Sequence, residues 1–206
     1  MKIFGIGLPR TGTTSLSMAV MNLGFKTCHV CLLDSTYYRA DAFFDTPIWA
    51  NYKELDERFP GSKFILSWRD PEKWYQSFSK NIGSYLNALR NSWIRRLDVV
   101  QRRAYLKIFG PSGSDKEYLI SCYIRHRQEA EEYFRDRPND FLVLEMESAD
   151  AMAKLSEFLG IKDEGISLPS SNHSGTTDEW SRIEHPNKVM DRMHLIRYRV
   201  KRLLGR

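Results

Sequence analysis

A glycine-spaced loop near the start of the chain limits most strongly what this sequence folds into. Gly7 and Gly12 are followed by Thr13 and Thr14, which matches the glycine and hydroxyl spacing of the phosphate-binding pattern G-x-x-x-x-G-K-[ST]. An apolar strand candidate at residues 2–6 precedes the loop, and an amphipathic helix candidate follows it. In this context a loop aims backbone N–H groups and the positive end of a helix dipole at one point. It is therefore predicted to hold phosphate or sulfate oxygens.

The loop departs from the nucleoside triphosphatase pattern at its lysine. Thr13 stands in the lysine position, and Arg10 supplies a cation elsewhere in the loop. Triphosphatases also hold Mg²⁺ with an acidic residue from a second strand. Here the strand candidate at 64–68 is followed by Arg69-Asp70. This is not the pattern of an apolar strand that ends directly in an acidic metal ligand. The pattern favours anion chemistry that needs no metal. An ordinary strand-to-helix turn has no use for a cation and hydroxyl groups together.

The rest of the chain alternates apolar strand candidates with helical patterns. Further strands are predicted at residues 26–30, 64–68 and 141–145, and helices at 47–59, 71–79 and 149–159. This alternation predicts an α/β fold with a central, mainly parallel sheet between helical layers.

Two other segments complete the expected organisation. A long helical region at about 84–136 is interrupted by glycine and proline at 110–114, and we interpret it as an acceptor-binding or lid region. The end of the chain, about 186–205, is predicted to form a basic helix. At 206 residues the chain suits a single domain, 1–206.

Charge and composition narrow the class of partner. The formal net charge is +5, but basic and acidic residues are interspersed, which favours a small anionic ligand over nucleic acid. Three cysteines are too few for a disulfide framework and indicate a reducing compartment. No signal peptide and no long uncharged apolar run is evident. The expected location is the cytoplasm, with no membrane span.

Two motifs together resemble those of the PAPS-dependent sulfotransferases, which use 3′-phosphoadenosine 5′-phosphosulfate. Their loop has the form P-K-S-G-T-T, and here it reads Pro9-Arg10-Thr11-Gly12-Thr13-Thr14. Their second motif supplies an arginine and, eight residues on, a serine to the 3′-phosphate. The segment ILSWRDPEKWYQSF supplies Arg69 and Ser77 at that spacing. The resemblance covers about residues 1 to 175 and is closest to a smaller branch with the signature R-D-P-x-x-W.

The resemblance implies a P-loop fold and a sulfuryl transfer. PAPS would give its sulfuryl group to a hydroxyl or amine of a small acceptor, leave as PAP, and require no metal. It also implies that Pro9, Arg10, Thr11, Gly12, Thr13, Thr14 and Ser15 bind the donor's phosphosulfate, with Arg69 and Ser77 on the 3′-phosphate. A guanidinium fork and a hydroxyl suit a phosphomonoester. The ordinary alternatives are a strand-end salt bridge for Arg69 and a helix-surface serine for Ser77.

The catalytic groups follow from the same comparison. Arg10 takes the place of the family's loop lysine, which stabilises the leaving phosphate. Many relatives carry a histidine base in a T-H-x-P segment, and the similar slot here is Phe44-Asp45-Thr46-Pro47. Asp45 is then the expected base, with its pKa raised by burial, unless it merely caps the next helix. His29 is the rival base, unless it is an ordinary buried, hydrogen-bonded histidine.

Two other functions remain open at this point. One is a small P-loop kinase using ATP and Mg²⁺, against which the missing lysine and metal ligand argue. The other is a catalytically silent nucleotide-binding module that keeps the cleft for regulation or assembly.

Overall fold

The strands in the described part of the chain form one parallel sheet. The computed structural model describes residues 1–91, 99–162, 168–169, 180 and 183–192. The strands within these residues are β1 Ile3–Gly5, β2 Thr27–His29, β3 Ala42–Phe44, β4 Lys63–Trp68, β5 Phe141–Glu145 and β6 Lys188–Val189. They lie in the order β5-β4-β1-β3-β2-β6, and every neighbouring pair runs parallel. The predicted α/β fold with a central parallel sheet is confirmed.

Helices connect the strands. Those of the described residues are α1 Thr13–Asn22, α2 Tyr52–Arg58, α3 Pro71–Asn91, α4 Val99–Phe109, α5 Lys116–Tyr133 and α6 Ala151–Leu159. Short 3₁₀ turns occupy Asp34–Tyr38 and Ile48–Ala50. No helix in these parts of the chain combines the length and apolarity needed to cross a bilayer.

Two buried clusters lie on opposite faces of the sheet. Leu16 of α1 and Leu155 of α6 share one cluster with Ile3 of β1. Trp74 of α3 and Tyr123 of α5 belong to the other cluster, together with Phe4. Because successive side chains of a strand point to opposite faces, neighbouring residues of β1 serve both clusters. The sheet is therefore the middle of three layers.

Strand β3 was not predicted from the sequence. Its three residues are too short a run to show a period, and they become a central strand only because β1 and β2 pair with them on both sides. The helix predicted at 47–59 is a 3₁₀ turn followed by α2. Between α4 and α5, Gly110 and Gly113 adopt φ of 60° and 88°, so the predicted glycine interruption is confirmed.

The prediction of a helix from residue 186 is wrong at its start. Residues 186–187 form a turn, and 188–189 form β6, which pairs with the outer edge of β2. The unpaired backbone of that edge favours a strand partner over a helix. Asp191 anchors the segment, since its Oδ2 accepts the N–H groups of Leu32 and Leu33 at 3.0 and 2.8 Å. Residues 193–206 lie outside the described residues, and a helix there stays a prediction.

Candidate functional site

The candidate residues converge on one edge of the sheet. Parallel strands end on the same side, so the segments after β1, β2, β3, β4 and β5 meet at their carboxyl ends. The glycine loop follows β1, and Arg69 follows β4 directly. His29 is the last residue of β2, and Asp45 comes immediately after β3. The register pairs His29 with Phe44, which places the residues of these two strand ends next to each other.

The loop after β1 is shaped for an anion. Gly12 precedes α1 with a φ of 89°, and no side chain caps the helix there. The first turn of α1, which contains Thr13, Thr14 and Ser15, includes no acidic residue, so nothing within it offsets the positive end of the helix dipole. At Gly7 a Cβ atom would lie 2.0 Å from Oγ of Ser67, so only glycine fits that close approach.

Hydrogen bonds from Thr11 in the loop and from Trp74 of α3 hold the shape of the loop. The Thr11 hydroxyl donates to the carbonyl of Leu8 at 2.7 Å and lies 2.6 Å from Oγ of Ser67. Thr11 is buried, so its side chain holds the loop's shape. The indole N–H of Trp74 donates to the carbonyl of Pro9 at 3.0 Å. The tryptophan of the R-D-P-x-x-W signature thus fastens α3 to the loop.

Arg10 and Ser77 contact each other. Nε of Arg10 donates to Oγ of Ser77 at 3.0 Å, and the Arg10 backbone is left-handed with a φ of 74°. From the sequence, these residues are predicted to contact different ends of the donor. The structure brings together the loop cation and the serine of the second motif, so Ser77 orients Arg10.

Arg69 forms an ion pair with a carboxylate of the protein. Its Nε donates to Oε1 of Glu147 at 3.0 Å, and Lys73 Nζ donates to Oε2 of the same side chain at 2.5 Å. The hydrogen bonds from Lys73 and from Arg69 lower the pKa of Glu147. Two cations therefore converge on one anionic group at the carboxyl edge.

An aromatic stack holds the backbone of Arg69. The Tyr123 hydroxyl accepts the Arg69 N–H at 3.0 Å and donates to the Arg69 carbonyl at 3.1 Å. The Tyr123 ring lies between Trp68 and Trp74, with centroid distances of 4.1 and 4.2 Å and nearly parallel planes. Tyr123 was not predicted from the sequence, because a tyrosine within a helical pattern carries no signal of this role.

His29 and Asp45 form a pair. Nε2 of His29 lies 3.0 Å from Oδ2 of Asp45. The backbone is left-handed at Asp45 and at Val30, the residue after His29, with φ values of 64° and 63°. Such a conformation costs on the order of 1 kcal/mol per residue and persists where surrounding contacts enforce it. The two candidate bases of the sequence analysis are therefore one unit.

The prediction that the pKa of Asp45 is raised is wrong. Burial does raise it, but the hydrogen bond and charge of His29 and the Thr46 donors outweigh burial and lower the pKa to about 2. Oδ1 of Asp45 accepts the Thr46 N–H at 2.7 Å and the Thr46 hydroxyl at 3.1 Å. Asp45 does not cap a helix, since the next 3₁₀ turn begins after Pro47 without a side-chain cap.

His29 is enclosed by two further residues. Its Nδ1 lies 3.3 Å from Oγ of Ser17, a fully buried residue of α1. The ring of Trp180 lies 5.4 Å from the imidazole, centroid to centroid. The side chain of Asp45 is 22% exposed against 7% for His29, so Asp45 is the member of the pair that faces solvent.

Comparison with known families identifies the class of protein. Residues 2–36 and 31–177 match the family model described as "Sulfotransferase domain". The chain therefore belongs to the sulfotransferase domain family, a class of transferases. A sequence comparison with curated proteins finds no significant match. Trp180 and β6 lie beyond the matched residues.

Proposed function

We propose that this protein transfers the sulfuryl group of PAPS to a hydroxyl or amine of a small acceptor. The observation that carries the proposal is that a glycine loop before α1, the cation of Arg69 and the His29–Asp45 pair meet at the carboxyl ends of the strands of one sheet. Membership of the sulfotransferase domain family supports the chemistry.

The two anionic ends of PAPS have matching groups on the protein. The amino end of α1 and Arg10 would hold the phosphosulfate, because backbone N–H groups and a guanidinium there favour anionic oxygens. Arg69 would hold the 3′-phosphate. Its hydrogen bond to the carboxylate of Glu147 supports that role, because a carboxylate and a phosphate are both anions. Bound PAPS supplies an activated sulfuryl group on a phosphate leaving group.

The protein's own side chains divide the work of the transfer. The His29–Asp45 pair, of which Asp45 is the member that faces solvent, accepts the proton of the acceptor's hydroxyl or amine as the acceptor atom bonds to sulfur and the bond from sulfur to the phosphate oxygen breaks. Arg10 stabilises the negative charge that develops on the departing phosphate of PAP. Ser77 holds Arg10 by the bond to its Nε.

The acceptor side is proposed from the place of two helices in the chain. The helical region that contains α4 and α5 follows the second donor motif and is our proposed acceptor or lid region, within a single domain of residues 1–206. We also propose a cytoplasmic location, which the three free, buried cysteines support.

Calorimetric titration tests the donor assignment. The purified chain is titrated with PAP, with ATP plus Mg²⁺ and with 5′-AMP under the same buffer conditions. We expect PAP to bind most tightly, because only PAP carries the 3′-phosphate that Arg69 would hold. A preference for ATP with Mg²⁺ would support the kinase, and the absence of binding by all three would support a silent module.

A further inference from the structure

Lys73 and Glu147 form an ionic cluster with Arg69, and the sequence predicted no role for either of them. Glu147 comes two residues after β5, and its Oε1 accepts from Nε of Arg69 at 3.0 Å. Oε2 of the same carboxylate accepts from Nζ of Lys73 at 2.5 Å. Each oxygen of Glu147 therefore faces a different cation.

The residue before Glu147 touches both proposed donor motifs. The N–H of Met146 donates to the carbonyl of Trp68 at 3.1 Å, next to Arg69. A Cβ atom at Gly12 would lie 3.2 Å from Cε of Met146, so the methionine side chain rests against the glycine loop. The chain that carries Glu147 thus runs beside the proposed donor site.

Lys73 lies on the same face of α3 as Ser77. The two residues are four apart in a helix that begins at Pro71, so their side chains are neighbours. Ser77 accepts from Nε of Arg10, the cation of the glycine loop. The face of α3 that carries Ser77 to the loop therefore also carries Lys73.

The two cations of the cluster match a phosphomonoester in charge. Arg69 and Lys73 carry one positive charge each, and the single negative charge of Glu147 offsets only one of them. A phosphomonoester carries a charge of about −1.5 to −2 at neutral pH and offers three acceptor oxygens. The neighbouring carboxylate of Asp70 accepts the backbone N–H of Lys73 at 3.0 Å. A phosphomonoester would therefore balance this pair of cations more fully than Glu147 does.

Glu147 is free to move, whereas Arg69 is held. The side chains of Lys73 and Glu147 are 58% and 46% exposed, so a ligand can reach them and the carboxylate can turn into water. Exposed ion pairs contribute little to stability, so breaking these contacts costs little. The Tyr123 hydroxyl, in contrast, fixes both the N–H and the carbonyl of Arg69.

We propose that Lys73 is a second cation for the 3′-phosphate of the donor and that Glu147 competes with that phosphate for both cations. The phosphate takes over the hydrogen bonds that Glu147 accepts from Arg69 and Lys73, and the carboxylate turns to solvent. Glu147 thereby favours a doubly charged group, because an anion with a single charge gains little by replacing a carboxylate. This inference rests on the proposed function, since it takes PAPS as the donor.

Calorimetric titration of the full chain with PAP and with 5′-AMP tests the competition. Glu147→Gln keeps the shape of the side chain and removes its charge, so we expect PAP affinity to rise about tenfold and 5′-AMP affinity to stay unchanged. Glu72→Gln is the matched control, because it removes the same charge from an exposed ion pair between α3 and Lys116 of α5. An equal gain in Glu72→Gln would reduce the effect to net charge and overturn the inference.

The role of Lys73 is tested in the Glu147→Gln background, where the competing charge is absent. Adding Lys73→Ala should lower PAP affinity about tenfold and leave 5′-AMP affinity unchanged, because only PAP carries the 3′-phosphate. Lys116→Ala in the same background is the control and should leave both affinities unchanged. Unchanged PAP affinity after Lys73→Ala would refute a contact between Lys73 and the phosphate.

The same titrations separate this inference from the proposed function. PAP binding that is equal in wild type and Glu147→Gln would overturn the inference and leave the function standing. Absence of PAP binding in both proteins would overturn the function, and the inference with it. PAP binding by Glu147→Gln that exceeds wild-type binding supports both, and a damaged fold does not produce such a gain.

Discussion

The proposed donor side and the proposed base side of the site are built in different ways. The donor side consists of two contiguous motifs, and the aromatic stack around Tyr123 holds them together. The base side joins Ser17 of α1, His29 of β2 and Asp45, the residue after β3. The donor side can therefore be recognised as a sequence pattern, whereas the base side exists only once the sheet has formed.

The two sides also differ in how their charges are held. On the donor side Arg10 contacts the partly buried hydroxyl of Ser77, and Arg69 contacts the exposed carboxylate of Glu147. On the base side the imidazole is enclosed. Changes on the donor side should thus act on donor binding or leaving-group charge, and changes on the base side on the transfer step.

Asp45→Asn should give the largest effect. The amide keeps the shape of the side chain but removes the negative charge of the His29–Asp45 pair, so the pair takes up the acceptor's proton less readily and we expect kcat to fall about 10²- to 10⁴-fold. Affinity for PAP, measured by calorimetry, should stay at the wild-type value. Retained turnover with weakened PAP binding would show that Asp45 acts on the donor and not on the transfer step.

Arg10→Ala should lower kcat about 10²- to 10³-fold, because charge on the departing phosphate loses its main stabilising cation. Arg10→Lys is the conservative control and should recover part of the activity. The measurement is steady-state turnover, with circular dichroism to verify the fold. Turnover of Arg10→Ala close to wild type would remove Arg10 from the catalytic groups.

Arg69→Ala should weaken PAP binding about 10- to 100-fold, the range of a lost hydrogen bond to a charged group. Binding of 5′-AMP, which lacks the 3′-phosphate, should change little. Arg135→Ala is the control, since that arginine forms an exposed ion pair with Glu132 on α5 and its C-terminal turn. Equal losses for both nucleotides would show that Arg69 does not contact the 3′-phosphate.

The same comparison explains what could be predicted from the sequence. The positions of Arg10 and Arg69 at the carboxyl edge were predictable, because a glycine loop and a strand end are local features. The pairing of His29 with Asp45 was not, since it depends on β3, a strand too short to show a pattern. The pKa of Asp45 was predicted in the wrong direction for the same reason: burial is visible in a sequence, and a partner across a sheet is not.

The pairing of Asp45 predicts a pH dependence of stability. Its pKa is lowered from 3.8 to about 2, so the carboxylate stabilises the fold above pH 4 and this contribution disappears as the pH falls through 2. It amounts to about 2 kcal/mol. In urea unfolding, the free-energy difference between wild type and Asp45→Asn should shrink as the pH is lowered from 5 toward 2. A difference that stays constant over this range would mean that Asp45 is not paired in solution.

Trp74→Phe should have the smallest effect and would sharpen the view of the donor side as a braced unit. Phenylalanine keeps a ring against Tyr123 but loses the N–H that donates to the Pro9 carbonyl, which leaves a buried acceptor without that partner. We expect the free energy of unfolding to fall by about 1 kcal/mol and PAP affinity to fall with it, because the loop is held less firmly. Tyr75→Phe, one position along the same helix, removes a hydroxyl without touching the stack and is the control. If Trp74→Phe lowers stability and leaves PAP affinity unchanged, the loop holds its shape through Thr11 and Ser67 alone, and the signature tryptophan serves the core rather than the donor.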